Sequence, residues 1–128
     1  MSGIQLRFII QNHKTNHPHY DLSLEIDEAL MTWILPKRVP IKSREIRLAI
    51  EDKAERPSFF DFNTVVDDGY GTGETEVWDI GTYEINRKNK SKIEFEAKGE
   101  KFAGKFILLL PSWGKWYKKR LWTLIKIW

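Results

Sequence analysis

All three histidines of the chain fall within seven residues, His13, His17 and His19, and Tyr20 and Asp21 follow at once. Imidazole nitrogen and carboxylate oxygen are borderline-to-hard donors. His-x5-His-x-Asp therefore suits a three-ligand site for a divalent ion of the zinc or manganese type, with positions open for water or substrate. On a strand beginning near His19, residues 19, 21 and 23 share one face because successive side chains alternate. That face shows imidazole, carboxylate and hydroxyl, while Leu22 and Leu24 point into a core. His13 sits on the preceding loop, whose return would bring it to the same point. A plainer picture fits the same residues: solvated loop histidines at the start of a strand. His17, biased toward extended backbone by Pro18, fits that picture best.

The elements that must position these groups read as strands. In Tyr20 to Ile26, Leu22, Leu24 and Ile26 alternate with Asp21, Ser23 and Glu25, the period of a strand buried on one face. Short apolar runs suited to strands recur at Leu6 to Gln11, Ala29 to Leu35, Ile46 to Ile50 and Glu74 to Trp78. They continue at Thr82 to Ile85, Lys92 to Ala97, Lys105 to Leu110 and Leu121 to Ile127. Turn-rich stretches separate them: Asp27-Glu28, Pro36 to Pro40, Asp67 to Gly73, Asn86 to Ser91 and Gly99 to Ala103. No segment offers a capped amphipathic helix of twelve residues, although Lys42 to Arg47 suits one helical turn. The expected fold is all-β: a small closed or partly open antiparallel β-barrel of about eight or nine strands with little helix.

With 128 residues the chain has room for one hydrophobic core and is read as a single domain, 1–128. Its composition, 41% hydrophobic and 30% charged, excludes a disordered chain. The absence of cysteine excludes disulfide scaffolds, thiolate zinc sites and cysteine nucleophiles. No apolar run reaches bilayer-spanning length, and MSGIQLRFII lacks the order of a signal peptide, so no membrane partner and a cytoplasmic location are expected. A formal net charge of +3 permits a polyanionic partner without demonstrating one.

FIIQNHKTNHPHYDLSLEID followed by ALMTWILPK resembles the 3'-phosphoesterase domain of bacterial DNA ligase D and its stand-alone archaeal relatives. The resemblance resumes at Arg47-Leu48-Ala49, at Gly69-Tyr70-Gly71-Thr72-Gly73 and at Val77-Trp78-Asp79-Ile80-Gly81-Thr82-Tyr83. It closes with Phe102 to Leu109 and with Trp122-Thr123-Leu124-Ile125-Lys126. H-x5-HYD combined with W-x-x-P-K and YGxG-x3-VWDxGT is a specific pattern, and it covers essentially the whole chain. It implies a small β-barrel enzyme that removes a 3'-terminal ribonucleoside and then the 3'-phosphate, using Mn2+, so that a separate DNA polymerase and DNA ligase can complete end joining. The implied partners are DNA 3' ends, such as a primer-template with a terminal ribonucleotide. By the resemblance the metal ligands are His13, His19 and Asp21; the residues themselves leave Zn2+ or another divalent metal open. Gln11 and Lys37 match polar positions lining the family's active site. A lysine there holds phosphate as a point charge, and Arg47 is a further candidate to neutralise it.

Departures from the pattern fall on the phosphate-binding half. Where the family has an arginine two residues after the metal aspartate, this chain has Ser23, which cannot form a bidentate clamp. The family's phosphate-site histidine aligns with Lys53 or with Glu55, depending on where gaps are placed, and its tyrosine falls on Phe59. Two functions follow: a metal-dependent 3'-end-processing phosphoesterase with weakened catalysis, or a catalytically inactive DNA-end-binding or protein-interaction module on the same fold.

Three smaller readings complete the sequence. Glycine-rich 69–73 precedes no helix pattern and reads as a tight loop between strands rather than a phosphate cradle. Asp27-Glu28 lacks glycine, which argues for a connection slightly longer than a strict type I' turn. Ser112 to Arg120 carries three aromatics and four cations. It is either a DNA-contacting loop, with Lys115, Lys118, Lys119 and Arg120 on phosphates and Trp116 on a base, or a hairpin whose tryptophans plug the barrel mouth.

Overall fold

A computed structural model describes residues 6–27, 29–52, 65–67, 72–116 and 118–128. Nine strands run through them: β1 (Leu6–Lys14), β2 (His19–Ile26), β3 (Ala29–Leu35), β4 (Ile46–Asp52), β5 (Val65–Asp67), β6 (Thr72–Asn89), β7 (Lys92–Lys98), β8 (Ala103–Leu109) and β9 (Leu121–Lys126). Eight are hydrogen-bonded in the order β1-β2-β3-β4-β9-β8-β7-β6, and pairing of β1 with β6 closes the ring; β5 lies against β6. Every pairing is antiparallel. The closed all-β barrel expected from the period-two pattern is therefore present. The one helical element among the described residues is a 3-10 turn, Ser112–Trp116, and no helix there is long and apolar enough to cross a membrane.

Alternation decides what fills the barrel. Phe8 and Ile10 of β1, Leu22, Leu24 and Ile26 of β2, and Trp33 and Leu35 of β3 point inward and are buried. Phe95, Phe102 and Phe106 stack across β7, β8 and the turn between them, with Phe102 and Phe106 centroids 4.0 Å apart. Trp33 meets Trp122 edge-on at 5.7 Å. Much of the aromatic content is thus spent on the interior, where large rings fill space without polar cost.

Closure depends on the length of β6, which differs from expectation. Glu74 to Trp78 and Thr82 to Ile85 are parts of one 18-residue strand. The glycine between them marks close packing, not a turn: a Cβ on Gly81 would lie 2.7 Å from the Lys98 carbonyl oxygen and 2.9 Å from the Phe8 ring. The strand also continues through Asn86 to Asn89, where a turn was expected, because a bulge between Ile85 and Arg87 absorbs one residue and restores pairing with β7. The first half of β6 thereby pairs with β1 and the second half with β7.

Three local readings also change. His13 belongs to β1, not to a loop, since that strand is paired on both sides as far as His13. Ile26 pairs directly with Ala29, so Asp27-Glu28 is a two-residue connection; Asp27 takes φ 51, a conformation aspartate tolerates without glycine. Lys42 to Arg47 forms no helical turn: Glu45 donates its N–H to the Lys42 carbonyl, Arg44 sits at φ 73, and β4 begins at Ile46. Of the glycine-rich stretch 69–73, residues 69–71 lie outside the described residues, while Thr72 and Gly73 begin β6 rather than continuing a loop.

Candidate metal centre

The β1–β2 register sets His13 opposite His19 and Gln11 opposite Asp21. Phe8 and Ile10 point inward, so Gln11 and His13 face the other side of the barrel wall, where Asp21 and Ser23 join them from β2. All of the trio His13, His19 and Asp21 is buried. His13 Nδ1 lies 3.1 Å from His19 Nε2 and 3.3 Å from Asp21 Oδ2, and His19 Nε2 lies 3.3 Å from Asp21 Oδ1. One ligand atom from each residue falls within 4.8 Å of the others.

The surroundings orient at least one ligand. His19 Nδ1 lies 2.8 Å from the carbonyl oxygen of His17, which can only accept, so Nδ1 carries a proton and Nε2 is the nitrogen turned toward the cluster. That carbonyl is itself held: Thr15 Oγ1 donates to it at 2.9 Å and accepts from His17 N at 3.0 Å. The His17 side chain is exposed and outside the cluster. Gln11 Nε2 donates to Thr75 Oγ1 at 3.1 Å, which fixes the amide beside Asp21. A β-bulge between β1 and β6 falls at Ile10/Gln11, where the inward apolar pair gives way to this polar row.

The donor set suits a divalent transition metal. Two imidazoles and a carboxylate match zinc or manganese coordination chemistry, and three protein ligands leave further positions for water or substrate. A buried carboxylate among imidazoles is costly unless charge is compensated, and a cation supplies that compensation.

The remaining predicted residues distribute unevenly. Ser23 is buried, its Oγ 2.8 Å from Thr32 Oγ1, and Thr32 pairs in turn with Asp52. Lys37 and Arg47 share a cavity of about 570 Å³, lined among the described residues by Lys37, Arg38, Ile46, Arg47 and Leu48. Glu45 Oε2 accepts from Arg47 Nη2 at 2.7 Å and holds the guanidinium at this cavity. Lys53, Glu55 and Phe59 lie outside the described residues.

In the segment after β8, the tryptophans do not plug the barrel: Trp113 is 50% and Trp116 86% exposed. Lys115, Lys118 and Arg120 are exposed beside them and Lys119 is half-buried. Sequence reasoning passed over Arg38, which joins Lys37 and Arg47, and Thr75, which holds Gln11. Arg38 was visible as a neighbour of the W-x-x-P-K lysine; Thr75 carried no local signal.

The chain is 29% identical over 119 residues to the multifunctional non-homologous end joining DNA repair protein LigD of Mycobacterium tuberculosis, covering 89% of this chain and 16% of that protein. It is 31% identical over 127 residues to the multifunctional non-homologous end joining protein LigD of Pseudomonas aeruginosa, covering 94% and 15%. The chain thus spans about a sixth of the length of these relatives. A family model, the DNA Ligase D 3'-phosphoesterase domain, matches residues 11–110, from the polar row of β1 past the end of β8. With the barrel, the buried His-His-Asp cluster and this match together, the chain belongs to the DNA ligase D 3'-phosphoesterase domain family.

Proposed function

We propose that this chain trims DNA 3' ends during end joining, as a manganese-dependent phosphoesterase whose catalysis is weakened. The observation that carries the reading is the buried convergence of His13 Nδ1, His19 Nε2 and an Asp21 oxygen within 4.8 Å. These atoms would hold the metal. When bound, it would supply Lewis-acid polarisation of a phosphoryl oxygen and a more acidic water.

The chain's own residues do the rest. The His17 carbonyl keeps the His19 proton on Nδ1, so Nε2 stays available. Gln11, tied to Thr75, offers its amide oxygen beside the cluster. Lys37, Arg38 and Arg47 supply cations for phosphate oxygens of the same strand. A ligase and a polymerase would then act on the trimmed end.

Weakened catalysis follows from position 23. The family's arginine is replaced by a serine whose hydroxyl is buried and engaged with Thr32, so it offers nothing to a phosphate. Loss of one preorganised donor costs on the order of 10²–10³ in rate. The same observation favours a second reading, an inactive module that binds DNA ends.

The test is digestion of a primer-template bearing one 3'-terminal ribonucleotide, with Mn2+, and analysis of the product ends for phosphate. Slow trimming that chelation abolishes and that H13A lacks supports the enzyme. Binding without trimming supports the module. Trimming that survives chelation overturns the metal assignment.

A further inference from the structure

Lys90, Ser91, Leu110, Lys115 and Arg120 line a cavity of about 370 Å³. Its walls come from two distant stretches, the β6–β7 turn and the segment leading into β9. Three cations converge there, and among the described residues none of them has an ion pair or side-chain hydrogen bond. Like charges held around one hollow repel each other, and an anion seated among them relieves that repulsion.

The walls are built, not incidental. Leu110 donates its N–H to the Ser91 carbonyl at 2.7 Å, tying the two stretches together. Ser91 N donates to Asn89 Oδ1 at 2.9 Å and fixes the turn that carries Lys90. Gly114, next to Lys115, packs so closely on β9 that a Cβ would collide with the Leu121 carbonyl oxygen. The Arg120 carbonyl accepts from Glu51 N at 2.9 Å, so the residue before β9 is pinned to β4. Each cation therefore hangs from an anchored stretch of backbone, which lowers the entropy lost on binding.

Directly after Lys115 in the chain comes Trp116, 86% exposed, with Trp113 half-exposed in the same 3-10 turn. Tryptophan left in water next to unpaired cations is the arrangement that reads single-stranded nucleic acid: cations follow phosphates while a ring stacks on a base. An acidic peptide would use the cations but leave the ring unexplained.

We propose that Lys90, Ser91, Lys115 and Arg120 form a second phosphate-binding pocket, lined by none of the metal-site residues, that grips the backbone of a single-stranded DNA end while Trp116 stacks on an unpaired base. The substrate class, a DNA strand, rests on the function proposed above, but the pocket's role is binding alone and needs no metal.

The experiment measures binding of a labelled duplex with a short 3' overhang against salt, in chelator, so that no trimming intervenes. The triple variant K90A/K115A/R120A is expected to flatten the salt dependence by about 0.7 per phosphate contact removed. W116A is expected to weaken the overhang complex about tenfold or more, in line with a lost stack, and to leave a blunt duplex unaffected. Melting curves of both variants check that the barrel is intact. An unchanged salt slope in the triple variant overturns the pocket even if the wild type trims DNA. A flattened slope supports it even if the wild type never trims. Equal displacement by poly-glutamate of matched charge would assign the pocket to an acidic protein instead and overturn the nucleic-acid reading.

Discussion

Asp21 and Asp79 are both buried carboxylates, on the two strands that flank β1. Asp21 stands opposite Gln11 and Asp79 opposite Ile10, so one lies on the outer face of the wall and the other on the inner. Their surroundings differ in kind. Asp79 Oδ1 accepts from Ile80 N at 3.0 Å and Glu100 N at 3.3 Å, and Oδ2 from Lys101 N at 2.9 Å and Phe102 N at 2.7 Å. Its charge is consumed in fixing the β7–β8 turn onto β6. Each Asp21 oxygen instead lies 3.3 Å from an imidazole nitrogen. A carboxylate saturated by backbone N–H groups is a fold element; one aimed at two imidazole nitrogens is a candidate site.

The largest expected effect breaks the structural member. Asp79→Ala strips the acceptor from four backbone donors and is expected to cost roughly 3–5 kcal/mol, since hydrogen bonds to charged groups contribute about 1.5–3 kcal/mol each and do not add fully. Urea denaturation reads it. The fraction that stays folded keeps its metal affinity. A cost under about 1 kcal/mol would remove the contrast with Asp21.

Next come the ligands. His13→Ala, His19→Ala and Asp21→Asn are each expected to weaken Mn2+ or Zn2+ binding about tenfold or more, beyond the loss of an outer-sphere partner. Asp21→Asn leaves stability unchanged or raised, because a site group is held at a cost to the fold. His17→Ala does little: its carbonyl, not its ring, orients His19. Isothermal titration settles the ranking, and equal small effects from all four changes would dissolve the site.

This contrast also marks what sequence shows. The trio was legible because two imidazoles and a carboxylate fall within nine residues in a specific pattern, with strand parity joining His19 to Asp21, and the barrel because alternation persists through eight strands. Asp79 was legible only as a motif letter. Its role needs the 100–102 turn, more than twenty residues away. The unity of β6 was hidden for a related reason: Gly81 looks like a breaker until Phe8 and the Lys98 carbonyl are seen against it. His13 was read as a loop residue because Asn12-His13-Lys14 has no apolar alternation, yet pairing on both sides holds it extended. The cavity at Lys90 joins segments about 25 residues apart, a distance at which local pattern carries no information.

The smallest expected effect extends the comparison to a half-buried carboxylate, Glu45. Glu45 behaves as Asp79 does, with backbone donors: Oε1 accepts from Lys42 N at 2.6 Å and Ile41 N at 2.8 Å, while Oε2 takes Arg47. These bonds, the Lys42 and Ile41 amides foremost, push its carboxyl down from 4.5 to about 2. A folded value below the unfolded one means that the ionised form supports the fold. That support is fully present above the unfolded value near 4.5 and is lost as pH falls toward about 2. Glu45→Gln cannot titrate, so the stability gap between wild type and variant should be flat above about pH 5 and close progressively below it. Partial exposure to solvent keeps the gap small. The same change removes a negative charge and frees the Arg47 guanidinium for phosphate, so DNA binding at neutral pH should rise modestly while metal affinity stays constant. A gap that closes already near neutrality, or that persists undiminished into strong acid, would show that Glu45 does not share the Asp79 pattern.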